Sequence, residues 1–424
     1  MARVALVLSV AAITHASLQA DLVEIKGPES VDRHATHKQV SVIELQDKEN
    51  SMPINAFCLN QQGQIVAACG AGPGQIRIAD DDGRILKAWD VAVKPEAINV
   101  ASDGTILVGG AGKLFRFDKQ GRLLQQADSP HAAALQSATK ELREAAIARL
   151  TRVSTSPASR IEVYEGILKQ LSEKEDKGEL NEQEQRMLEL LPRLVERYQE
   201  QLERLRAEAE QAEKEGPQEE QGPSEEAIQE QVQNLIRSKM KVSSISSDDT
   251  HVFVATAGVT GYGYVVWKMD HQFSGGEVIV EGLRGCCGQM DVQCCPGGLY
   301  VAENARHRVV QYDTNGEELT NWGKRDRAGV DGFSSCCNPM NVCFNAGSEV
   351  FTAESGTGRI KRFSASGEFI AYVGDVDLVP GCKNVSIAVS PDSDRVYMLD
   401  LTRNHIILMR AKAEETEDTA AAGD

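Results

Sequence analysis

The sequence is short of positive charge: 45 lysine and arginine residues stand against 63 aspartate and glutamate residues, a formal net charge of −18. Nucleic acid and anionic membrane surfaces would repel such a chain, so neither is expected as a partner. Beyond the N-terminal region the sequence also lacks any run of about eighteen consecutive apolar residues, and no transmembrane segment is expected there. A hydrophobic content of 41% is ordinary for a globular protein that buries a core.

Several sequence motifs of common enzymes are also missing. There is no C-x-x-C pair of the kind that often binds zinc, and no glycine-rich loop followed by a helix with lysine. A Ser-His-Asp arrangement in a strand–turn–helix context is absent too. The sequence therefore indicates no catalytic residue and leaves open whether the protein is an enzyme.

The N-terminus reads MARVALVLSVAAITHASLQAD, in which Arg3 precedes an apolar run that is too short to span a bilayer. Small residues suited to a cleavage site follow it, so a secretory signal peptide is predicted over residues 1–20. A buried strand or an uncleaved anchor is the alternative. The expected location is secreted or periplasmic, in the cell envelope. All ten cysteines follow this segment, and their even number fits disulfides formed in an oxidising compartment.

Two stretches fifty residues apart repeat the same pattern. RGCCGQMDVQ at 284–293 aligns with SSCCNPMNVC at 334–343, which pairs Cys286 and Cys287 with Cys336 and Cys337. The alignment continues without a gap between YVAENARHRVVQYDTNGEEL and FTAESGTGRIKRFSASGEFI. Four weaker copies, at 63–86, 104–124, 248–270 and 393–411, bring the count to six. Short strands that repeat every 40–50 residues are typical of blades around an axis, and residues 37–45 are expected to supply a closing strand.

The two strong units resemble the NHL-repeat family of β-propellers. The resemblance rests on Ala302-Glu303-Asn304 with His307-Arg308-Val309 in one unit, and on Ala353-Glu354 with Arg359-Ile360 in the other. The Cys-Cys-Asn-Pro stretch resembles a cysteine-bearing subgroup of secreted bacterial NHL proteins. The resemblance implies an all-β, six-bladed propeller. In such repeats an aspartate more often stands where Glu303 and Glu354 stand. Some of these propellers are lyases or hydrolases that hold calcium or zinc with axial histidines, a set that this chain lacks.

Residues 131–240 do not follow the repeat pattern and show apolar residues at helical spacing. One such seam comprises Met187, Leu191, Leu194, Tyr198, Leu202 and Leu205, and a second comprises Ile161, Tyr164, Ile167, Leu168 and Leu171. We predict an α-helical hairpin or coiled-coil arm between the second and third blades. It offers a surface for a protein partner or for self-association, or it is a self-packed hairpin without a role. The predicted domains are residues 1–20 (signal), 37–130 (blades 1–2), 131–240 (arm), 241–412 (blades 3–6) and 413–424 (disordered acidic tail).

The paired cysteines leave three interpretations open. They form disulfides between neighbouring blades, they hold a metal, or they act as a redox-active pair of adjacent thiols. For the metal alternative the candidate ligands are Cys286, Cys287, Cys336, Cys337 and Cys382, with zinc, copper(I) or an iron–sulfur cluster as the cofactor. Adjacent cysteines on an extended chain point in opposite directions, so only one of each pair is expected to face a shared site.

Two functions from different classes follow from these interpretations. The first is an exported binding or scaffolding module for a protein or a cell-envelope ligand. The alternative is a thiolate metalloprotein, with a redox or enzymatic role at the propeller axis.

Overall fold

The structure is a computed structural model that describes residues 34–45, 51–153, 157–175, 188, 191–193, 195–200, 203–204, 222–326, 331–334, 337–379 and 381–413. The predicted signal peptide, nearly all of the predicted acidic tail and Cys336 lie outside these residues. The chain divides into two compact units, which are the residues Ile13–Ala138 with Arg237–Asp424, and Thr139–Ile236. Among the described helices, none is long and apolar enough to cross a bilayer.

The larger unit is built from six antiparallel sheets of four strands each. The strands are β1 (His37–Ile43), β2 (Ile54–Leu59), β3 (Ile65–Cys69), β4 (Gly74–Ala79), β5 (Ile85–Val91), β6 (Ala97–Val100), β7 (Ile106–Gly110), β8 (Lys113–Phe117), β9 (Leu123–Asp128), β10 (Val242–Ser247), β11 (His251–Ala257), β12 (Tyr264–Asp270), β13 (Glu277–Leu283), β14 (Asp291–Cys295), β15 (Gly298–Glu303), β16 (Arg308–Tyr312), β17 (Glu318–Trp322), β18 (Asn341–Phe344), β19 (Val350–Ala353), β20 (Arg359–Phe363), β21 (Phe369–Asp375), β22 (Ile387–Val389), β23 (Arg395–Asp400) and β24 (His405–Ala411).

Each of the first five blades takes four consecutive strands, from β2–β5 for blade 1 to β18–β21 for blade 5. Blade 6 combines β22, β23 and β24 with β1, which pairs antiparallel to β24 from His37 opposite Ala411 to Ile43 opposite Ile406. The innermost strands β2, β6, β10, β14, β18 and β22 each contact the innermost strand of both neighbouring blades, so the ring is closed. The predicted all-β six-bladed propeller and its closing strand are confirmed.

The burial pattern explains why these segments form blades. The second strands are buried on both faces, because neighbouring blades cover them: every residue of β3 and of β7 is buried. The outer strands are more exposed, and in β9 every side chain is exposed or partly buried. In blade 4, an aspartate holds the turn between the third and fourth strands: Asp313 Oδ1 accepts from Asn315 N at 2.9 Å and from Glu317 N at 2.8 Å. Gly316 completes this turn at φ +90°, a conformation that favours glycine.

The described residues between blades 2 and 3 are mostly helical. They form α1 (Pro130–Ser137), α2 (Thr139–Val153), α3 (Pro157–Glu175) and α4 (Glu225–Lys239), so the inserted helical arm of the predicted fold is present. Within the smaller unit Ile167, Leu171 and Leu191 form an apolar cluster, and the rings of Tyr164 and Tyr198 lie 5.8 Å apart. The described parts of the two predicted seams therefore pack against each other.

Candidate functional site

Four of the five candidate ligands are described, and they lie on three loops. Cys286 and Cys287 lie between β13 and β14, Cys337 lies between β17 and β18, and Cys382 lies between β21 and β22. Each loop leads into the innermost strand of its blade, so all three are at the same end of the propeller axis. The fifth candidate, Cys336, lies outside the described residues.

The ring brings the four sulfurs into contact, and we call Cys286, Cys287, Cys337 and Cys382 the cysteine cluster. The Sγ of Cys287 lies 3.6 Å from that of Cys286 and 3.4 Å from that of Cys337, which in turn lies 3.3 Å from the Sγ of Cys382. These separations are well above the S–S bond length of about 2.05 Å. Among the described residues, the sulfurs of the cluster are therefore in contact and not bonded to one another.

Both members of the first cysteine pair face the cluster, so the expectation that only one would do so is wrong. That expectation assumed an extended chain. Residues 286–289 instead form a tight turn, in which Gln289 N donates to Cys286 O at 3.2 Å. Cys287 and Gly288 both have positive φ, +57° and +68°, which is the type I′ geometry. The turn folds the chain back, and the two adjacent sulfurs come to lie on the same side.

Two polar side chains fix this turn. Asn304 accepts a hydrogen bond from Cys286 N at 2.8 Å and donates to Gln289 O at 3.0 Å, so it spans the turn. Gln289 makes a paired contact with the backbone of Val385, donating to its carbonyl at 3.0 Å and accepting from its N–H at 3.2 Å. The second contact joins the turn to the loop that carries Cys382. The cluster is thus held by amide side chains as well as by the blades.

The loop that carries Cys337 is fixed in a similar way. Asn338, which follows Cys337, is fully buried; it accepts from Ser355 N at 3.0 Å and donates to Ser334 O at 2.8 Å. Cys337 is itself buried, whereas the other three members of the cluster are half-buried. The cluster therefore has one side in the protein and one side open to solvent.

The electrostatics of the cluster favour one thiolate over several. The thiols of Cys287 and Cys337 hydrogen-bond to the sulfur of Cys286 and lower the pKa of Cys286. The pKa of Cys287 is raised, because ionisation would end its hydrogen bond to Cys286 and place a second negative charge beside the first. A cation that replaces these protons relieves the repulsion between sulfurs.

The donor set fits a soft metal ion. A tetrahedral zinc site with Zn–S bonds of about 2.3 Å spaces its sulfurs by about 3.8 Å, close to the contacts in the cluster. Thiolates are also the ligands that copper(I) and iron–sulfur clusters prefer. Within the described part of the chain, Cys286, Cys287 and Cys337 are the one group of three Cys, His, Asp or Glu residues whose ligand atoms all lie within 4.8 Å of one another.

The remaining five cysteines lie in strands and differ in chemistry. Burial raises the pKa of Cys58 and of Cys294 to about 12, and that of Cys69 to about 11, so these side chains remain neutral thiols. Cys294, Cys295 and Cys343 lie in the inner strands β14 and β18. With Cys58 they line an axial cavity of about 480 Å³.

Sequence reasoning missed the residues that position the cluster. Asn304 belongs to the motif that carries the resemblance, but its counterpart in the repeat is Ser355, so the pattern gave no signal for its role in the turn. Gln289 aligns with Pro339 in the repeat, and the pattern likewise gave no signal for its role. Glu303 and Glu354 are fully buried and accept from the backbone N–H groups of Arg284 and Ser334, at 2.8 and 2.9 Å.

Comparison with known proteins identifies no family for this chain. No family model matches the chain, and no curated protein matches it. A gluconolactonase from Xanthomonas campestris has a similar structure, with 9% identity, a TM-score of 0.45, and coverage of 93% of this chain and 96% of that one. Virginiamycin B lyase from Staphylococcus aureus follows with 10% identity, 84% and 80% coverage and a TM-score of 0.40. The Pan2 WD40 domain from Neurospora crassa has 7% identity, 90% and 97% coverage and a TM-score of 0.43. The NHL assignment itself remains a prediction.

Proposed function

We propose that this propeller is an exported binding module whose ligand is a soft metal ion, held by the cysteine cluster at one end of the axis. The single observation that carries the proposal is the chain of Sγ contacts, 3.6, 3.4 and 3.3 Å long, between residues of three separate loops. Of the two functions that the sequence left open, the thiolate metalloprotein is therefore favoured. Zinc and copper(I) are the ions that the ligand set suits best.

The position of the cluster supports exchangeable binding rather than a purely structural role. A propeller of six closed blades has a full apolar core and does not depend on a metal to fold. Three of the four ligands are half-buried, so an ion there is reachable from solvent. Because the thiols are protonated in part, binding releases protons, and affinity is expected to rise with pH.

A role in binding a protein partner is kept as the second part of the proposal. The loops around the cluster form a rigid surface at one end of the blades, which suits a protein or a cell-envelope ligand. The helical arm is a weaker candidate for self-association, since Ile167, Leu171 and Leu191 are already buried against one another. Secretion or periplasmic location belongs to the proposal and follows from the N-terminal sequence alone.

The test is metal content and thiol state of the full chain, isolated under anaerobic conditions. We expect one zinc or copper ion per chain by elemental analysis, and tight rebinding of Zn²⁺ after chelation. Cys287→Ser and Cys337→Ser should abolish stoichiometric binding, because each removes a sulfur at the centre of the cluster. Cys58→Ser is the matched control and should bind normally, since Cys58 is a neutral thiol in strand β2.

Two results would overturn the metal proposal. In the first, the protein contains no stoichiometric metal and its thiols react only after reduction. Mass spectrometry then finds a disulfide between Cys287 and Cys337 or between Cys337 and Cys382. That outcome would make the cluster a set of inter-blade disulfides. The other is metal binding that is unchanged in Cys287→Ser and Cys337→Ser.

A further inference from the structure

A lysine from a neighbouring blade reaches the cysteine turn. Lys241 directly precedes β10 of blade 3, and its Nζ donates to the carbonyl of Gly288 at 2.6 Å. With the Asn384 amide assigned the orientation that satisfies both of its ends, its oxygen accepts from the same ammonium at 2.9 Å and its nitrogen donates to the carbonyl of Cys287 at 3.0 Å. Asn384 stands two residues after Cys382. One lysine and one asparagine thus connect blade 3, the Cys286–Cys287 turn and the Cys382 loop.

We propose that Lys241 and Asn384 form a clasp that positions the cysteine cluster for a soft metal ion and supplies a cation beside its thiolates. This inference rests on the proposed function and adds the residues that determine its affinity. Lys241 and Asn384 are positioning residues, because neither is a ligand to the metal.

The backbone geometry explains why a clasp is needed. Cys287 is a non-glycine residue at φ +57°, a conformation that L-residues adopt at a cost. The two carbonyls that follow from this turn, those of Cys287 and Gly288, are the two that Asn384 and Lys241 bind. Orientation of these peptide groups determines where the sulfur of Cys287 points. Loss of the two donors would let the turn relax and the sulfur move away from Cys337.

Charge is the second reason. Four thiolates around a divalent ion carry two negative charges in excess, and around copper(I) they carry three. An ammonium group bound to the turn that carries two of these thiolates stabilises them in the ionised form that the metal requires. The asparagine contributes no charge, so the two residues of the clasp separate the geometric contribution from the electrostatic one.

The chain contains its own control in Lys239. This lysine lies two residues earlier, and its Nζ also donates to glycine carbonyls, those of Gly258 and Gly261. Burial lowers the pKa of both lysines. The loop that Lys239 binds connects β11 to β12 and carries no cysteine. Removal of its charge therefore measures the general cost of losing a capping lysine in this region.

The experiment is a titration of the reduced full chain with Co²⁺ under anaerobic conditions. Sulfur-to-cobalt charge-transfer absorption reports the number of bound thiolates, and competition with a chelator gives the dissociation constant. Lys241→Met is expected to weaken Co²⁺ binding about 10–100-fold and to reduce the charge-transfer band, as loss of groups that orient metal ligands does elsewhere. Asn384→Ala should weaken binding less, since the charge remains. Lys241→Arg should recover most of the affinity, and Lys239→Met should stay within about twofold of the parent.

Circular dichroism establishes that each variant is folded, and Asn384→Ala still tests the clasp if Lys241→Met does not fold. The clasp is refuted if Lys241→Met and Asn384→Ala bind Co²⁺ with the parental affinity and spectrum. It is equally refuted if Lys239→Met weakens binding as much as Lys241→Met does. If the parent chain does not bind Co²⁺, both the proposed function and the clasp are overturned. If the parent chain binds Co²⁺ and the variants bind it equally well, only the clasp is overturned. The two failures are therefore distinguishable.

Discussion

The strongest test of how this propeller is stabilised is replacement of Lys361 by methionine. Lys361 and Glu354 are both fully buried and form an ion pair in blade 5. The ammonium also donates to Gly332 O and stands 5.0 Å from the centre of the Phe333 ring. Lys361→Met leaves the Glu354 carboxylate buried without its cation. Loss of one partner of a buried pair costs about 3–5 kcal/mol, so we expect the free energy of unfolding to fall by that amount.

The repeat provides the control in blade 4. Glu303 is also fully buried, but it has two cations, Arg306 at 2.7 Å and Arg308 at 2.6 Å. Arg308→Met leaves Arg306 in place and should cost about 1–2 kcal/mol. Urea unfolding followed by circular dichroism measures both variants. The double variant Lys361→Met with Glu354→Gln should recover much of the loss, because no unpaired charge remains. A cost for Lys361→Met no greater than that for Arg308→Met would refute this reasoning.

The remaining predictions concern protonation, backbone conformation and thiol reactivity. Burial lowers the pKa of His131 from 6.5 to about 4, so the free energy of unfolding should fall by about 3 kcal/mol as the pH drops from 6.5 to 4. His131→Asn should remove this dependence on pH, as measured by urea titrations at each pH. Gly367→Ala should lower the free energy of unfolding by about 2 kcal/mol or more in the same assay, because φ is +90° and a Cβ would lie 2.1 Å from the indole of Trp322. Gly72→Ala is the control: a Cβ there would meet open space, so stability should change by under about 0.5 kcal/mol. In the native protein N-ethylmaleimide should spare Cys58 and Cys69, whose pKa values are raised by burial; labelling found there by mass spectrometry before unfolding would contradict the structure.

Much of the architecture was predictable because a repeat is written in the sequence itself. The alignment of residues 300–319 with 351–370 gave the strand order of one blade, and weaker copies gave the count of six. Residues 37–45 were predicted to supply the closing strand, and within them His37–Ile43 pairs with β24. The position of the helices between β9 and β10 followed from the change in periodicity. Each of these features depends on local pattern, which one chain reveals.

For the candidate site, the sequence predicted which residues belong to it but not how they are arranged. The sequence named Cys286, Cys287, Cys336, Cys337 and Cys382, and it gave no means to choose between disulfides, metal ligands and reactive thiols. Its assumption of an extended chain at Cys287 was wrong, because positive φ at two successive residues is a property of the turn and not of a cysteine pair. The sequence did not reveal the positioning roles of Asn304 and Asn384, because their hydrogen bonds are made to backbone groups of other loops.

The sequence by itself determined a chain of six repeating strand units, an inserted helical segment and paired cysteines at equivalent places. Only the tertiary structure decided that thiols 45 and 50 residues apart come within 3.3 and 3.4 Å of one another. The physical reason is ring closure. Spacing along a chain sets the register of each blade, whereas the distances between loops of different blades depend on how six sheets pack around one axis and how each loop turns at its end.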